Sequence, residues 1–364
     1  MRCPRCGTVY AGNAQFCKRD GLKLVKEPTT PPNRSAEWPQ YGPSSTGPGA
    51  VSSTPRSASG GNASHATMAG RVLDERYRIE RKVGEGGMSF VYLAQDIETN
   101  ERVAIKILSP ALSADRNSLA RLRREASLAG RLAHPNVCHI IRLGETATGM
   151  VYVVMPFVEG ELLCDRTHRL GHIPLADVVP FVRDIAAGLQ VAHQLRIIHR
   201  DLKPENVMLC REPGGAERAV VMDFGLAKDR RAGAEAEKLT ATGIVLGTPE
   251  FMSPEQLRGR PLDPRSDIYS LALMTFEMLT GKLPFEGRSQ QELMLARLRS
   301  DPIPLRKMRP ELEYPADVER VLLRGMAKDP SDRFATAPDF AEAFARAASG
   351  DDTELGFLDR LFGR

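Results

Sequence analysis

No stretch of this 364-residue sequence approaches the roughly 20 consecutive apolar residues of a membrane span; the longest strongly apolar run is Val151–Val158. The N-terminus, Met1-Arg2-Cys3-Pro4-Arg5-Cys6, has no apolar core of the kind a secretory signal requires. A dominant charge is missing too. Against 46 Asp and Glu stand 50 Lys and Arg, a formal net charge of +4, too slight to argue for a nucleic-acid partner. That excess sits within residues 1–27, and the rest is balanced. Cysteine is scarce: six residues fall as one tight cluster (Cys3, Cys6, Cys17) and three scattered thiols (Cys138, Cys164, Cys210). Such spacing fits a reducing compartment better than a disulfide framework, so a cytoplasmic protein is expected. No internal repeat is visible.

The composition that remains, 42% hydrophobic and 26% charged, is that of a soluble globular protein. The length suits two or three domains, or one large domain with attachments. Residues 1–27 are rich in Cys, Lys and Arg, with turns at Cys6-Gly7 and Asp20-Gly21. Residues 28–70 are Pro-, Ser- and Gly-rich with almost no aliphatic side chains. They cannot bury enough apolar surface to offset ordering entropy, so a disordered, flexible linker is expected. Residues 71–348 form one domain in this reading, and 349–364 a C-terminal tail.

Within that domain the period changes. Tyr77–Val83, Phe90–Ala94, Val103–Leu108 and Met150–Phe157 are rich in β-branched and aromatic residues and read as strands, interrupted by a charged helix, Arg116–Leu132. Beyond about residue 175 the period is helical: Val178, Val182, Ile185, Leu189 and Ala192 share one face. Further helices are predicted over Asp267–Thr280, Gln290–Leu298, Ala316–Met326 and Ala337–Ala347. Strands first and helices later imply an α+β arrangement of two lobes with a cleft between them.

Chemistry-bearing residues concentrate between 84 and 255. Gly84-Glu85-Gly86-Gly87-Met88-Ser89-Phe90-Val91 lies between two strand-like runs, where glycine lets backbone approach a polyphosphate; a chance Gly-rich hairpin is an equal alternative. Lys106 ends the apolar Val103-Ala104-Ile105-Lys106, as either an edge cation facing water or one aimed into the cleft, with Glu125 as candidate partner. His199-Arg200-Asp201-Leu202-Lys203-Pro204-Glu205-Asn206 puts a carboxylate, an ammonium and an amide in one loop, suited to proton acceptance and charge neutralisation. Asp223-Phe224-Gly225 follows the apolar run Ala219–Met222; Asp223 and Asn206 offer hard oxygen ligands for magnesium.

In this order, together with Gly247-Thr248-Pro249-Glu250-Phe251-Met252-Ser253-Pro254-Glu255, Asp267-Ile268-Tyr269-Ser270 and Asp332-Arg333-Phe334, the motifs resemble those of the bacterial eukaryotic-like (Hanks-type) Ser/Thr protein kinases, over about residues 75–347. The resemblance implies a bilobal kinase fold with a β-rich N-lobe and a helical C-lobe, using ATP and magnesium (or manganese) to phosphorylate Ser and Thr of protein substrates. It assigns roles by position. Lys106 would bind the α- and β-phosphates and pair with Glu125. Asp201 would accept the substrate hydroxyl proton, Lys203 would steady the γ-phosphate, and Asn206 and Asp223 would hold the metal ions. Gly84, Gly86 and Gly87 would cover the phosphates. Val91 and Ala104 above and Met208 below would sandwich adenine, the backbone of Pro156, Phe157 and Val158 would bond its edge, and Met155 would close the back. Glu161 is the nearest candidate for the ribose. Glu255 is expected to pair with buried Arg333, and Asp267 to brace the catalytic loop. Thr240 or Thr242 would be activation-loop phosphosites meeting Arg200. Lys203 and Thr248 favour Ser/Thr over Tyr as acceptor.

Three positions depart from the family's pattern without removing a catalytic group: Ser89 for a loop glycine, Pro156 for an acidic residue, and Ser253 for an alanine. Many relatives carry a membrane span after the kinase domain; none is expected here. A homodimer during activation is left open.

At the N-terminus, Cys3-Pro4-Arg5-Cys6 and Cys17-Lys18-Arg19-Asp20 repeat a two-residue spacer. They resemble a short zinc ribbon with Asp20 at the fourth ligand position, against the alternative of a redox or vestigial thiol cluster. The tail residues Phe357, Leu358, Leu361 and Phe362 are apolar at helical spacing and expected to dock on the chain's own domain. The competing function is a pseudokinase scaffold that recruits partners through the ribbon.

Overall fold

The computed structural model describes residues 68–86, 89–108, 116–146, 148–224 and 249–350. Cys3, Cys6, Cys17, Asp20, residues 28–67 of the linker, Gly87, Thr240, Thr242 and residues 351–364 of the tail lie outside the described residues, as does the side chain of Glu125.

The first lobe is an antiparallel sheet of strands β1 (Val72–Leu73), β2 (Tyr77–Gly86), β3 (Ser89–Asp96), β4 (Arg102–Leu108), β5 (Arg142–Glu145) and β6 (Val151–Pro156), in spatial order β1-β2-β3-β4-β6-β5. Helix α1 (Arg116–Ala129) follows β4 and buries Leu122, Ala126 and Ala129. β4 is buried from Val103 to Leu108 because both of its faces are covered. Val103, Ile105 and Ile107 join Tyr77, Ile79 and Val154 in one apolar cluster. Ala104 and Leu108 join Val153 and Met155 in another, which continues into the second lobe. Since side chains alternate along a strand, this two-residue period puts Lys106 on the face of Ala104 and Leu108. The cation is thereby aimed at the second lobe.

That lobe contains α2 (Leu163–Leu170), α3 (Leu175–Gln194), α4 (Pro254–Leu257), α5 (Arg265–Thr280), α6 (Gln290–Arg299), α7 (Leu305–Met308), α8 (Ala316–Gly325) and α9 (Ala337–Ser349). A small antiparallel sheet, β7 (Glu161–Leu162), β8 (Val207–Arg211) and β9 (Glu217–Val221), completes it. α3 buries the predicted stripe Val178, Val182, Ile185, Leu189 and Ala192. α5 is apolar on nearly every face, as suits a helix packed all round; residues from Ser266 to Phe276 are all buried.

The lobes are tied along the chain in two places, a contact and a single crossing. Asn136 to Cys138 are bonded to β9 of the second lobe: Asn136 Nδ2 donates to the Ala219 carbonyl at 2.8 Å and Cys138 N–H to that of Val221 at 2.9 Å. By Ile141 the backbone already donates to Val154 of the first sheet. The crossing runs from the end of β6 at Pro156 to β7 at Glu161. There Gly160 lies so close to β8 that an added Cβ would stand 2.2 Å from the Leu209 carbonyl oxygen. The Cys138 thiol touches the Pro156 carbonyl at 3.7 Å, so the contact and the crossing meet.

Some elements differ from the sequence expectation. The helix expected over Arg116–Leu132 ends at Ala129, where Gly130 begins a turn. β1, β5, β7, β8 and α2 were not anticipated. Of the three scattered thiols, Cys138 and Cys210 are buried and Cys164 is half-buried. Among the described residues no helix is long and apolar enough to cross a membrane.

Candidate active site

Lys106 Nζ, reaching from β4, pairs with Asp223 Oδ1 at 2.9 Å just after β9, so the ion pair joins the lobes. Lys106 is 9% exposed, while the side chain of Asp223 keeps 30% of its surface. A cation this enclosed needs a counter-charge, and Asp223 provides it. On the other side of the site, Asn206 Nδ2 donates to the Asp201 carbonyl at 2.7 Å, which leaves the amide oxygen as the group available to a cation. Lys203 Nζ stands 3.8 Å from Asp201 Oδ2. The Met222 N–H donates to the Asn206 carbonyl at 2.8 Å, bringing the loop after α3 and the segment after β9 together. Lys106, Asp201, Lys203, Asn206 and Asp223 therefore converge.

Two of the backbone positions are strained. Arg200 has φ 64° and Asp223 φ 58°, left-handed values that cost a residue with a Cβ on the order of 1–3 kcal/mol. Buried groups hold the first in place. Asp267, in the first turn of α5 and 1% exposed, accepts from His199 N–H at 2.8 Å, Arg200 N–H at 3.0 Å and His193 Nε2 at 2.7 Å. The fully buried ring of His199 accepts the Asp201 N–H on Nδ1 at 3.3 Å. Its Nε2–H must then be the donor to the Met222 carbonyl, 2.9 Å away. The ring also meets Phe224 edge-on, centroids 4.7 Å apart, so His199 ties the catalytic loop to the Asp223 segment.

The expected adenine-site residues also come together. Ala104 and Met155 are register partners on β4 and β6 and are buried. Val91, Phe157, Val158 and Met208 pack, partly buried, against the same cluster. Phe157 N–H is committed to the Arg102 carbonyl at 3.3 Å, whereas among the described residues the Val158 N–H and C=O have no partner. That unused pair fits the edge of an adenine. In the hairpin of β2 and β3, Gly84 pairs with Val91 and Gly86 with Ser89. A Cβ added at Gly84 would meet only Val91, at an ordinary 3.7 Å, so the fold itself does not demand glycine there.

Along the chain, a family profile described as "Protein kinase domain" matches residues 77–344. This chain belongs to the protein kinase family. Similar curated proteins include the Serine/threonine-protein kinase pkn3 of Myxococcus xanthus, 36% identical over 80% of this chain and 52% of its own length. Another is the Serine/threonine-protein kinase PknB of Mycobacterium leprae, 39% identical over 78% of this chain and 44% of its own. The chain thus spans about half the length of these relatives. Among solved structures, the crystal structure of the Mycobacterium tuberculosis PknI kinase domain is similar with a TM-score of 0.61 and 30% identity, covering 77% of this chain and 99% of that one.

In this kinase domain the expected Glu255–Arg333 pair is present, with Arg333 Nη1 and Nη2 2.7 and 2.8 Å from the two carboxylate oxygens. Lys106 is placed on Asp223; Glu125 lies on α1. Glu161 is drawn away from a ribose role. Its carboxylate accepts from Arg169 at 2.9 Å and from Arg166 at 2.6 Å, and these arginines hold its pKa down to about 2 despite partial burial. Cys138 lies behind the site; burial first, and then the charge of Asp223, push its thiol up to about 12. The residue-level reading missed His193 and Gln256. Neither belongs to a chemical motif, and only their contacts across the fold reveal them.

Proposed function

We propose that residues 71–348 form an enzyme that transfers the γ-phosphoryl group of ATP to Ser and Thr hydroxyls of proteins. The observation that carries this reading is the Lys106–Asp223 pair across the lobes, beside Asn206 bonded to the Asp201 backbone. Lys106 would neutralise the α- and β-phosphates and exchange its present partner for Glu125. Asp201 would accept the proton of the attacking hydroxyl, and Lys203 would balance charge on the transferred group. The amide oxygen of Asn206 and the carboxylate of Asp223 are a hard donor set that would hold magnesium or manganese, which would neutralise charge between the β- and γ-phosphates. Two protein ligands suffice for such an ion, since phosphate oxygens and water supply the rest. Gly84, Gly86 and Gly87 would cover the phosphates, and Val91, Ala104, Met155, Phe157, Val158 and Met208 would enclose adenine.

The purified protein, incubated with labelled ATP and magnesium, should label itself and a generic basic protein on Ser and Thr. Absence of transfer would replace this reading with the pseudokinase scaffold. The free thiols Cys138, Cys164 and Cys210 support a reducing, cytoplasmic setting.

Activation would proceed by autophosphorylation of Thr240 or Thr242, a phosphate with about −1.5 to −2 charges meeting Arg200. Mass spectrometry should find phosphate there after autophosphorylation. A Thr240→Ala/Thr242→Ala variant of undiminished activity would refute the switch. Cys3, Cys6, Cys17 and Asp20 would bind one zinc ion in a segment too short to fold on a hydrophobic core. Metal analysis of the full chain should give one zinc, lost in Cys3→Ser/Cys6→Ser and weakened less by Asp20→Ala.

A further inference from the structure

Gln256, in α4, is 8% exposed and uses both ends of its side-chain amide. Its Oε1 accepts the Ser253 N–H at 2.9 Å, while the Ser253 hydroxyl accepts the Gln256 N–H at 3.4 Å. This reciprocal cap explains the serine where the family carries alanine: it satisfies two N–H groups that the start of α4 would leave bare. The other end looks elsewhere. Gln256 Nε2 donates to the carbonyl of Arg200 at 2.8 Å, 56 residues earlier in the chain.

The cap alone does not call for an amide, because glutamate closes such a box equally well. Only the donor toward Arg200 does. That carbonyl and the Asp201 N–H belong to one planar peptide unit. Gln256 holds its oxygen, and the His199 ring holds its N–H at 3.3 Å. The preceding peptide is held through the Arg200 N–H by Asp267. With φ at 64°, Arg200 would relax out of this conformation if its flanking peptides were free to turn. Turning the plane would swing the Cα from which the Asp201 side chain springs.

We infer that Gln256 is a positioning residue: through the Arg200 carbonyl it fixes the peptide that carries Asp201, and so couples α4 to the catalytic loop. The inference rests on the reading of Asp201 as the proton acceptor.

Three variants of the full chain separate this role from capping. Gln256→Glu keeps the cap and the shape but presents no donor to Arg200. Gln256→Met removes both contacts without adding charge, and carries the test if the buried carboxylate prevents folding. Ser253→Ala removes the capping hydroxyl and keeps the amide. With a generic basic protein as acceptor, Gln256→Glu and Gln256→Met should lower kcat by about 10- to 100-fold, the scale of a misplaced catalytic group, with KM for ATP within about twofold. Amide hydrogen exchange over residues 199–203, without nucleotide, should quicken in both. Ser253→Ala should lose thermal stability while keeping kcat and the exchange of 199–203 near wild type. Unchanged kcat in the Gln256 variants, or an equal fall in Ser253→Ala, would overturn the inference. Exchange needs no turnover. A wild-type protein that transfers no phosphoryl group would refute the activity reading alone, and unchanged protection of 199–203 would then refute the role of Gln256.

Discussion

Lys106 and Asp201 sit in unlike surroundings, and this decides what replacing them can report. The Lys106 stem lies among apolar neighbours on β4 and only its ammonium meets Asp223, so methionine fills the same space. Asp223, with 30% of its side chain exposed, can then be solvated. Lys106→Met should therefore melt within a few degrees of wild type while transferring phosphate about 10²–10⁴ times more slowly. Asp201→Asn keeps size and backbone contacts but cannot accept a proton, and the same pairing of intact melting with lost transfer is expected. Thermal melting beside single-turnover kinetics checks both; a Lys106→Met protein of wild-type turnover would defeat the assignment. At this scale much was legible, because Lys106, Asp201, Asn206 and Asp223 lie in motifs whose order carries their meaning. Glu161 was not, since its arginine partners at 166 and 169 are neighbours only once α2 folds against β7.

Among elements, a buried electrostatic tie runs from α4 to Arg333, ahead of α9. Glu255 is 5% exposed and Arg333 3%; the guanidinium also lies 4.9 Å from the ring centre of Tyr269 and donates to the Arg265 carbonyl at 2.9 Å. Burial opposes charge on Glu255, but the bonds and charge of Arg333 and the hydroxyl of Ser266 outweigh it, and the carboxyl stays below its ordinary value. A depressed carboxyl stabilises the fold fully above its unfolded value of about 4.3, and that contribution is lost as pH falls through the lower folded value. Glu255→Gln, which leaves Arg333 buried without its counter-charge, should cost about 3–5 kcal/mol at neutral pH. It should also lose less further stability than wild type on acidification below about pH 4.3, as urea midpoints would show. Long elements were legible here for a simple reason. A stripe like that of α3 repeats often enough to stand out, and β4 declared itself by β-branched residues. Two-residue β1 and β7 carry no period. The Leu163–Leu170 segment, with Cys, Asp, His and two arginines, has leucine only at its two ends, too little repetition for its face to stand out in the sequence.

For the whole molecule, the test of independence is deletion. The family profile begins at residue 77 and the sheet at Val72, and each catalytic candidate lies beyond both. Removing residues 1–70 should leave kcat and KM on a generic substrate unchanged, by steady-state assay of the truncated and full chains. A fall in kcat would show the N-terminal segment to be part of the catalytic unit.

The two ties between the lobes, a hydrogen-bonded contact through Asn136–Cys138 and the chain crossing through Pro156–Glu161, give the molecule a kinematic character. Two bodies joined at one point can swivel freely; joined at two, they keep chiefly rotation about the line through both. Gly160, pressed on β8, and Cys138, bonded to β9, prevent either joint from sliding. Opening the space between Lys106 and Asp223 is then a one-parameter motion, taken up by a handful of backbone dihedrals with every strand ladder left whole. On the proposed reading, a nucleotide would enter or leave without either lobe having to unfold.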